Sequence, residues 1–102
     1  MTQFQEQVWK LTKKIPRGKV STYKEIAHAL GTKAYRAVGS ALHVNPYAPV
    51  VPCHRVVNSN GKVGGFADGT KKKISMLRGE GVNVMDETIN LKMYMFTFNN
   101  SF

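Results

Sequence analysis

The chain contains one cysteine, and a histidine follows it directly in Pro52-Cys53-His54-Arg55-Val56. A thiol attacks well only as thiolate, and a neighbouring imidazole or cation is a usual way of reaching that form. The competing reading is an inert core thiol, because free cysteine is among the most buried residue types. With no second cysteine, neither an internal disulfide nor a thiol-disulfide exchange cycle within the chain is expected. Histidines at 28, 43 and 54 match no zinc-ligand spacing, so no metal is expected. The glycine-rich stretch 63–69 lacks the Lys-Ser or Lys-Thr ending of a phosphate-binding loop, and no cofactor is expected. Nothing points to an acyl-substrate pocket with an oxyanion site, which weakens a cysteine hydrolase.

Such a cysteine has to be held by a small scaffold. A chain of 102 residues, 42% of them hydrophobic, is expected to form one domain over 1–102. No apolar run approaches the roughly 20 residues of a membrane span, and Gln3, Gln5 and Glu6 do not open like a secretory signal, so a cytoplasmic protein, nucleoid-associated if prokaryotic, without membrane contact is expected. Fifteen Lys and Arg against six Asp and Glu leave a formal charge of +9. A field of that sign attracts polyanions, with nucleic acid first and acidic membrane surfaces second.

The apolar spacing predicts a mainly α fold with a small β element. Phe4, Val8, Leu11 and Ile15 form one face of a helix over 2–14, with Thr2 as cap and Pro16 and Gly18 as stop signals. Thr22 followed by Glu25 makes a capping box for a short helix ending near Leu30, with Ile26, Ala27 and Leu30 inward. Thr32 is placed to cap a helix over 33–44, with Ala34, Val38, Ala41 and Leu42 inward and Asn45-Pro46 closing it. Two short helices across a glycine turn, at about 22–44 in a basic chain, read as a winged-helix-like helix-turn-helix. The second helix offers Arg36 beside the small residues Gly39 and Ser40, which is poor equipment for reading base edges in a major groove. Either those small residues let the backbone approach nucleic acid closely, or Gly39 serves tight helix packing. Val50-Val51 and Val56-Val57 are β-branched runs around the cysteine, and 58–61 is a turn. A basic helix over 71–78 carries Ile74, Met76 and Leu77. Alternation of Ile89, Leu91, Met93 and Met95 predicts a half-buried strand near the C-terminus.

From Arg17 to about Val82 the sequence resembles the C-terminal domain of the O6-alkylguanine-DNA alkyltransferases, or methylated-DNA-protein-cysteine methyltransferases. The matching pieces are Gly18-Lys19-Val20-Ser21-Thr22-Tyr23, Arg36-Ala37-Val38-Gly39-Ser40-Ala41, Asn45-Pro46, Pro52-Cys53-His54-Arg55-Val56, Gly61-Lys62-Val63-Gly64-Gly65-Phe66 and Glu80-Gly81. The resemblance implies single-turnover repair of duplex DNA, in which the cysteine takes the alkyl group from O6 of guanine and keeps it. It also implies a helix-turn-helix applied to the minor groove, with the lesion flipped out of the stack. By resemblance Cys53 is the acceptor, His54 takes its proton through a water, Glu80 orients His54, and Asn45 braces the turn. Tyr23 rotates a phosphate and protonates the leaving guanine, and Arg36 fills the space of the flipped base. Lys24, Gly39, Ser40 and Ser59 are expected on the DNA, as are Lys71, Lys72 and Lys73 unless that run is simply solvated. Main-chain groups near Cys53, Val56 and Ala67 are expected to contact the base, Phe66 is expected as an aromatic wall beside it, and Arg55 is expected to pair within the fold.

The sequence departs from the family pattern at several positions. Phe66 stands where many members have tyrosine, Asp68 where many have glycine, and Ala48-Pro49 shifts a proline upstream of the motif. The N-terminal domain of many members is not seen, implying a single-domain form acting as a monomer with no protein partner required. A related group, the alkyltransferase-like proteins, binds alkylated guanine without repair and carries tryptophan in place of the cysteine. Cys53 favours transfer over such a lesion-binding protein, and over a helix-turn-helix transcription regulator. Alkylation inside a tightly packed pocket is also expected to destabilise the protein.

Overall fold

The computed structural model describes residues 2–66 and 68–98. Helix α1 (Gln3–Thr12) opens on a reciprocal capping box: Thr2 Oγ1 accepts from Gln5 N and Gln5 Oε1 accepts from Thr2 N. After it, strand β1 (Ser21–Thr22) leads straight into α2 (Tyr23–Ala29). Thr22 Oγ1 accepts from Glu25 N at 3.0 Å, the forward half of the expected box. Helix α3 (Tyr35–His43) starts two residues later than its apolar spacing suggests. Thr32 spends its hydroxyl on Ala34 N, which bends the chain before the helix and leaves α3 with no side-chain cap.

A single 3₁₀ turn, Cys53–Arg55, precedes β2 (Val56–Val57). The two strands pair in parallel, Ser21 with Val56 and Thr22 with Val57. Successive strand residues point to opposite faces, so Val56 joins the core built by Val8, Leu11, Ile26, Val38 and Leu42, while Val57 joins a second core of Val20, Val63, Leu77, Val82 and Ile89. The cysteine turn therefore sits at the seam of two apolar clusters. Val50, by contrast, is exposed and belongs to no strand, although Val51 is buried.

Helix α4 (Thr70–Gly79) packs against the cysteine turn. The expected C-terminal strand is instead a short helix, α5 (Leu91–Tyr94). Asn90 explains the difference, since its side chain accepts from Lys92 N and caps a turn that alternation alone does not reveal. Extended pairing resumes only afterwards: Val20 N donates to Tyr94 O and Phe96 N to Val20 O. Gly61 pins the 58–61 turn to this tail. It lies at φ +90, and a Cβ there would come within 2.8 Å of Ile89 O. Among the described residues no helix is long and apolar enough to cross a membrane.

Candidate active site and nucleic-acid interface

Cys53 is half-buried and held by backbone on both sides. Its N–H donates to Val51 O at 2.9 Å, and Arg55 N donates to Pro52 O at 2.9 Å. Asn45 ties the preceding loop to the same point: its Nδ2 donates to Val51 O at 2.8 Å and its Oδ1 accepts from Tyr47 N at 2.9 Å. One carbonyl thus receives both the cysteine amide and the Asn45 side chain. The loop between them carries a cis Ala48-Pro49 bond.

Behind the cysteine lies a compact charged relay. His54, 2% exposed, donates from Nε2 to Glu80 Oε2 at 3.0 Å. Arg55 grips the same carboxylate with two bonds, Nε to Oε1 at 2.9 Å and Nη2 to Oε2 at 2.7 Å, and sends Nη1 to Ile15 O at 2.8 Å. Arg55 is therefore paired within the fold. Burial pushes the His54 imidazole below its ordinary value of 6.5, with the Glu80 hydrogen bond offsetting only part of the fall. Burial also acts to raise Glu80, but the hydrogen bonds from Arg55 and His54 outweigh it and hold the carboxyl below 4.5. At neutral pH the ring is thus neutral with its proton on Nε2, which leaves the Nδ1 lone pair to accept another.

In front of the cysteine is a cavity of about 220 Å³ lined by Tyr23, Gly39, Leu42, His43, Cys53, Gly65 and Phe66. Burial, with a smaller contribution from the Cys53 charge, raises the Tyr23 phenol above 10.0 and keeps its proton on at neutral pH. Leu42, expected only as an inward residue of its helix, and His43 and Gly65, for which the sequence suggests no role at the cysteine, also line this cavity. The Val56 side chain is fully buried in the core, turned there by the β2 pleat, which leaves its main chain for the base contact expected near it. Ala67 lies outside the described residues.

A second hollow, about 450 Å³, shares Tyr23 and Gly39 with the first and adds Lys24, Tyr35, Arg36, Asn58, Ser59 and Asn60. Tyr23, Lys24, Arg36, Gly39 and Ser59 are thus brought to one surface by α2, α3 and the 58–61 turn, and Ser40 is exposed on α3 nearby. A Cβ at Gly39 would meet only Tyr23 Cε1, at 4.0 Å, an ordinary contact. Packing within the fold therefore does not demand glycine at 39. A wider groove of about 550 Å³ between α1 and Tyr47–Val51 contains none of these side chains.

Lys73 overturns its expected place on a solvated or phosphate-binding lysine run. It is fully buried, with Nζ donating to Gly65 O at 3.2 Å and lying 5.9 Å from the Tyr23 ring centroid. Burial brings its value from 10.5 down to about 8, against the opposing pull of the Cys53 charge. The signal was its spacing: Lys73 lies four residues before Leu77, on the apolar face of α4. Lys71 and Lys72 do face solvent.

Residues 3–82 match the family model described as the 6-O-methylguanine DNA methyltransferase DNA binding domain. A methylated-DNA–protein-cysteine methyltransferase of Methanosarcina barkeri is 49% identical over 84 residues, covering 81% of this chain and 53% of that protein. This chain thus spans about half the length of the curated relatives it matches. Among solved structures, S. pombe Atl1 in complex with damaged DNA containing O6-carboxymethylguanine superposes with a TM-score of 0.83 at 36% identity, covering 95% of this chain and 97% of that one. Mycobacterium tuberculosis OGT in complex with DNA gives 0.76 at 44% identity, covering 78% and 50%.

Proposed function

This chain belongs to the family of the 6-O-methylguanine DNA methyltransferase DNA-binding domain, and we propose on that premise that it repairs alkylated duplex DNA by moving an alkyl group from O6 of guanine onto its own Cys53. The observation that carries this reading is the placement of Cys53 between a proton acceptor and a proton donor. The His54-Glu80-Arg55 relay lies behind it, and the protonated phenol of Tyr23 shares the cavity in front.

His54, oriented through Nε2 by Glu80, takes the thiol proton at Nδ1 by way of a water. The thiolate then attacks the alkyl carbon: a sulfur-carbon bond forms, the carbon-O6 bond breaks, and guanine leaves with the electron pair while Tyr23 supplies its proton. A base inside a duplex cannot reach a recessed sulfur, so the nucleotide is extruded into the cavity, at a cost of a few kcal/mol that is least for a poorly paired lesion. The surface carrying Lys24, Arg36, Gly39, Ser40 and Ser59 supports duplex binding at the minor groove, with Arg36 entering the stack. The 1–102 chain acts as one alkyltransferase domain and as a monomer. No step returns the thioether to the thiol, so each molecule acts once.

The near-complete overlap with Atl1 favours a second reading, recognition of the lesion without transfer. Intact mass spectrometry after incubation with a duplex carrying one O6-methylguanine separates the two. Repair predicts one added methylene on the Cys53 peptide. Retained binding with unchanged mass selects the second reading.

A further inference from the structure

Tyr35 does not line the cavity at Cys53, yet it is 38% exposed on the surface that carries Lys24, Arg36 and Ser59. It opens α3, with its N–H donating to Lys33 O at 2.8 Å. Behind the ring stands His28 of α2, with ring centroids 6.3 Å apart and planes tilted by 57°. Farther along α3 the unburied residues Ala37, Gly39 and Ser40 are small, so Tyr35 and Arg36 are the long side chains that this helix presents to the hollow.

Phosphate contacts do not account for an aromatic ring there. Lysine, arginine, serine and amide groups bind phosphate by charge and hydrogen bonds, whereas a ring left in water gains most by covering another flat apolar surface. A tyrosine side chain has few torsions to fix, and the His28 ring restricts them further, so it meets a partner at little ordering cost. The flat surface that DNA offers is a base. Extruding a nucleotide leaves the bases above and below it with uncovered faces, and one arginine covers only part of that area. Neighbouring residues on a helix point about 100° apart, so Tyr35 cannot follow Arg36 into the same space and meets the stack beside it.

We propose that Tyr35 is a specificity-determining residue of the DNA surface: its ring stacks on a base bordering the gap left by the extruded nucleotide, next to Arg36, and so favours the flipped complex over the intact duplex. This deepens the repair reading and rests on it in one respect, extrusion of the lesion. The phenol hydroxyl takes no part, and neither does charge.

Binding is measured by fluorescence anisotropy in a Cys53→Ser background, which holds the lesion unrepaired. Tyr35→Ala should weaken affinity for a duplex carrying O6-methylguanine about tenfold and affinity for the undamaged duplex far less. Tyr35→Phe keeps the ring and should bind as the parent does. Neither variant should change the salt slope, since no phosphate contact is lost. The stacked base is then located by placing an abasic analogue, one position at a time, at the lesion's partner and at each base above and below that pair. At one of these positions the loss caused by Tyr35→Ala should shrink to about twofold or less, because the ring has no base left to cover. Equal losses on lesion and undamaged duplex, a loss in Tyr35→Phe matching that in Tyr35→Ala, or strict additivity at all five positions overturns the proposal. Tyr35→Leu, which keeps apolar bulk without a flat face, replaces Tyr35→Ala in both measurements if the latter fails to fold. Intact mass of the Cys53 protein after exposure to the lesion duplex is read separately. Added mass with an additive cycle overturns Tyr35 stacking alone, and coupling without added mass supports the stacking while overturning repair.

Discussion

Glu80 has both carboxylate oxygens committed, Oε1 to Arg55 and Oε2 to Arg55 and His54. Glu80→Gln removes the charge while keeping the shape, leaving the Arg55 guanidinium short of its counter-ion, and should cost about 2–4 kcal/mol in urea denaturation. Transfer by the same variant should slow roughly 10–100-fold, since His54 keeps its position but loses the field that favours a second proton. The acid limb of the stability profile has a defined sign. His54 is lowered, so the unfolded state takes up the extra proton and stability falls as pH drops below 6.5. Glu80 is lowered too, so its contribution is complete above 4.5 and disappears as pH falls through the folded value. Equilibrium unfolding from pH 7 to 3 should show both losses in the wild type and only the first in Glu80→Gln. Cys53 and His54 could be read as a reactive pair from the residues alone, and Tyr23, Asn45 and Glu80 only through the family resemblance. Lys73 could not, because in a sequence a lysine among lysines looks like solvated charge, and only the fold shows which of the three points inward.

At the scale of elements, α3 separates folding from binding. Gly39 lies inside a helix with room for a methyl group, so Gly39→Ala should leave the fold intact and raise stability by up to about 1 kcal/mol. The same methyl group stands on the wall shared by both hollows and should weaken affinity for lesion-bearing duplex about tenfold or more. Thermal melting and fluorescence anisotropy should therefore move in opposite directions. A glycine serving packing would lose stability instead. Helices α1, α2 and α3 were legible because their apolar positions repeat at helical spacing and Thr2 and Thr22 are real caps. The tail was not, because four residues are too few for a period to show and the Asn90 cap decides the geometry. The parallel pairing of Ser21 with Val56 joins residues 35 apart in sequence, a long-range contact that no local pattern encodes.

For the whole molecule, the charge of +9 predicts association dominated by phosphate contacts and counter-ion release. The logarithm of duplex affinity should fall linearly with the logarithm of salt concentration. Lys24→Gln should flatten that slope by about one and weaken binding evenly across sequences, as removal of one phosphate contact does. Arg36→Ala should instead reduce discrimination between lesion and undamaged duplex while changing the slope little, if its role is to occupy the stack. Titrations at four salt concentrations on both duplexes distinguish these outcomes.

Lys73 and Glu80 are seven residues apart, close to two turns or about 10 Å along α4, and both face the cysteine turn. One addresses the cavity side through Gly65 and the other the relay side through His54. The helix between them is a ruler whose length cannot drift. One inserted residue would swing Glu80 about 100° out of register with Lys73, whereas the exposed turn around Asp86 and Glu87 lies outside that measured interval. Across sequences of this kind, gaps should therefore collect at 83–88 and be missing from 73–80, even where the residues between have diverged.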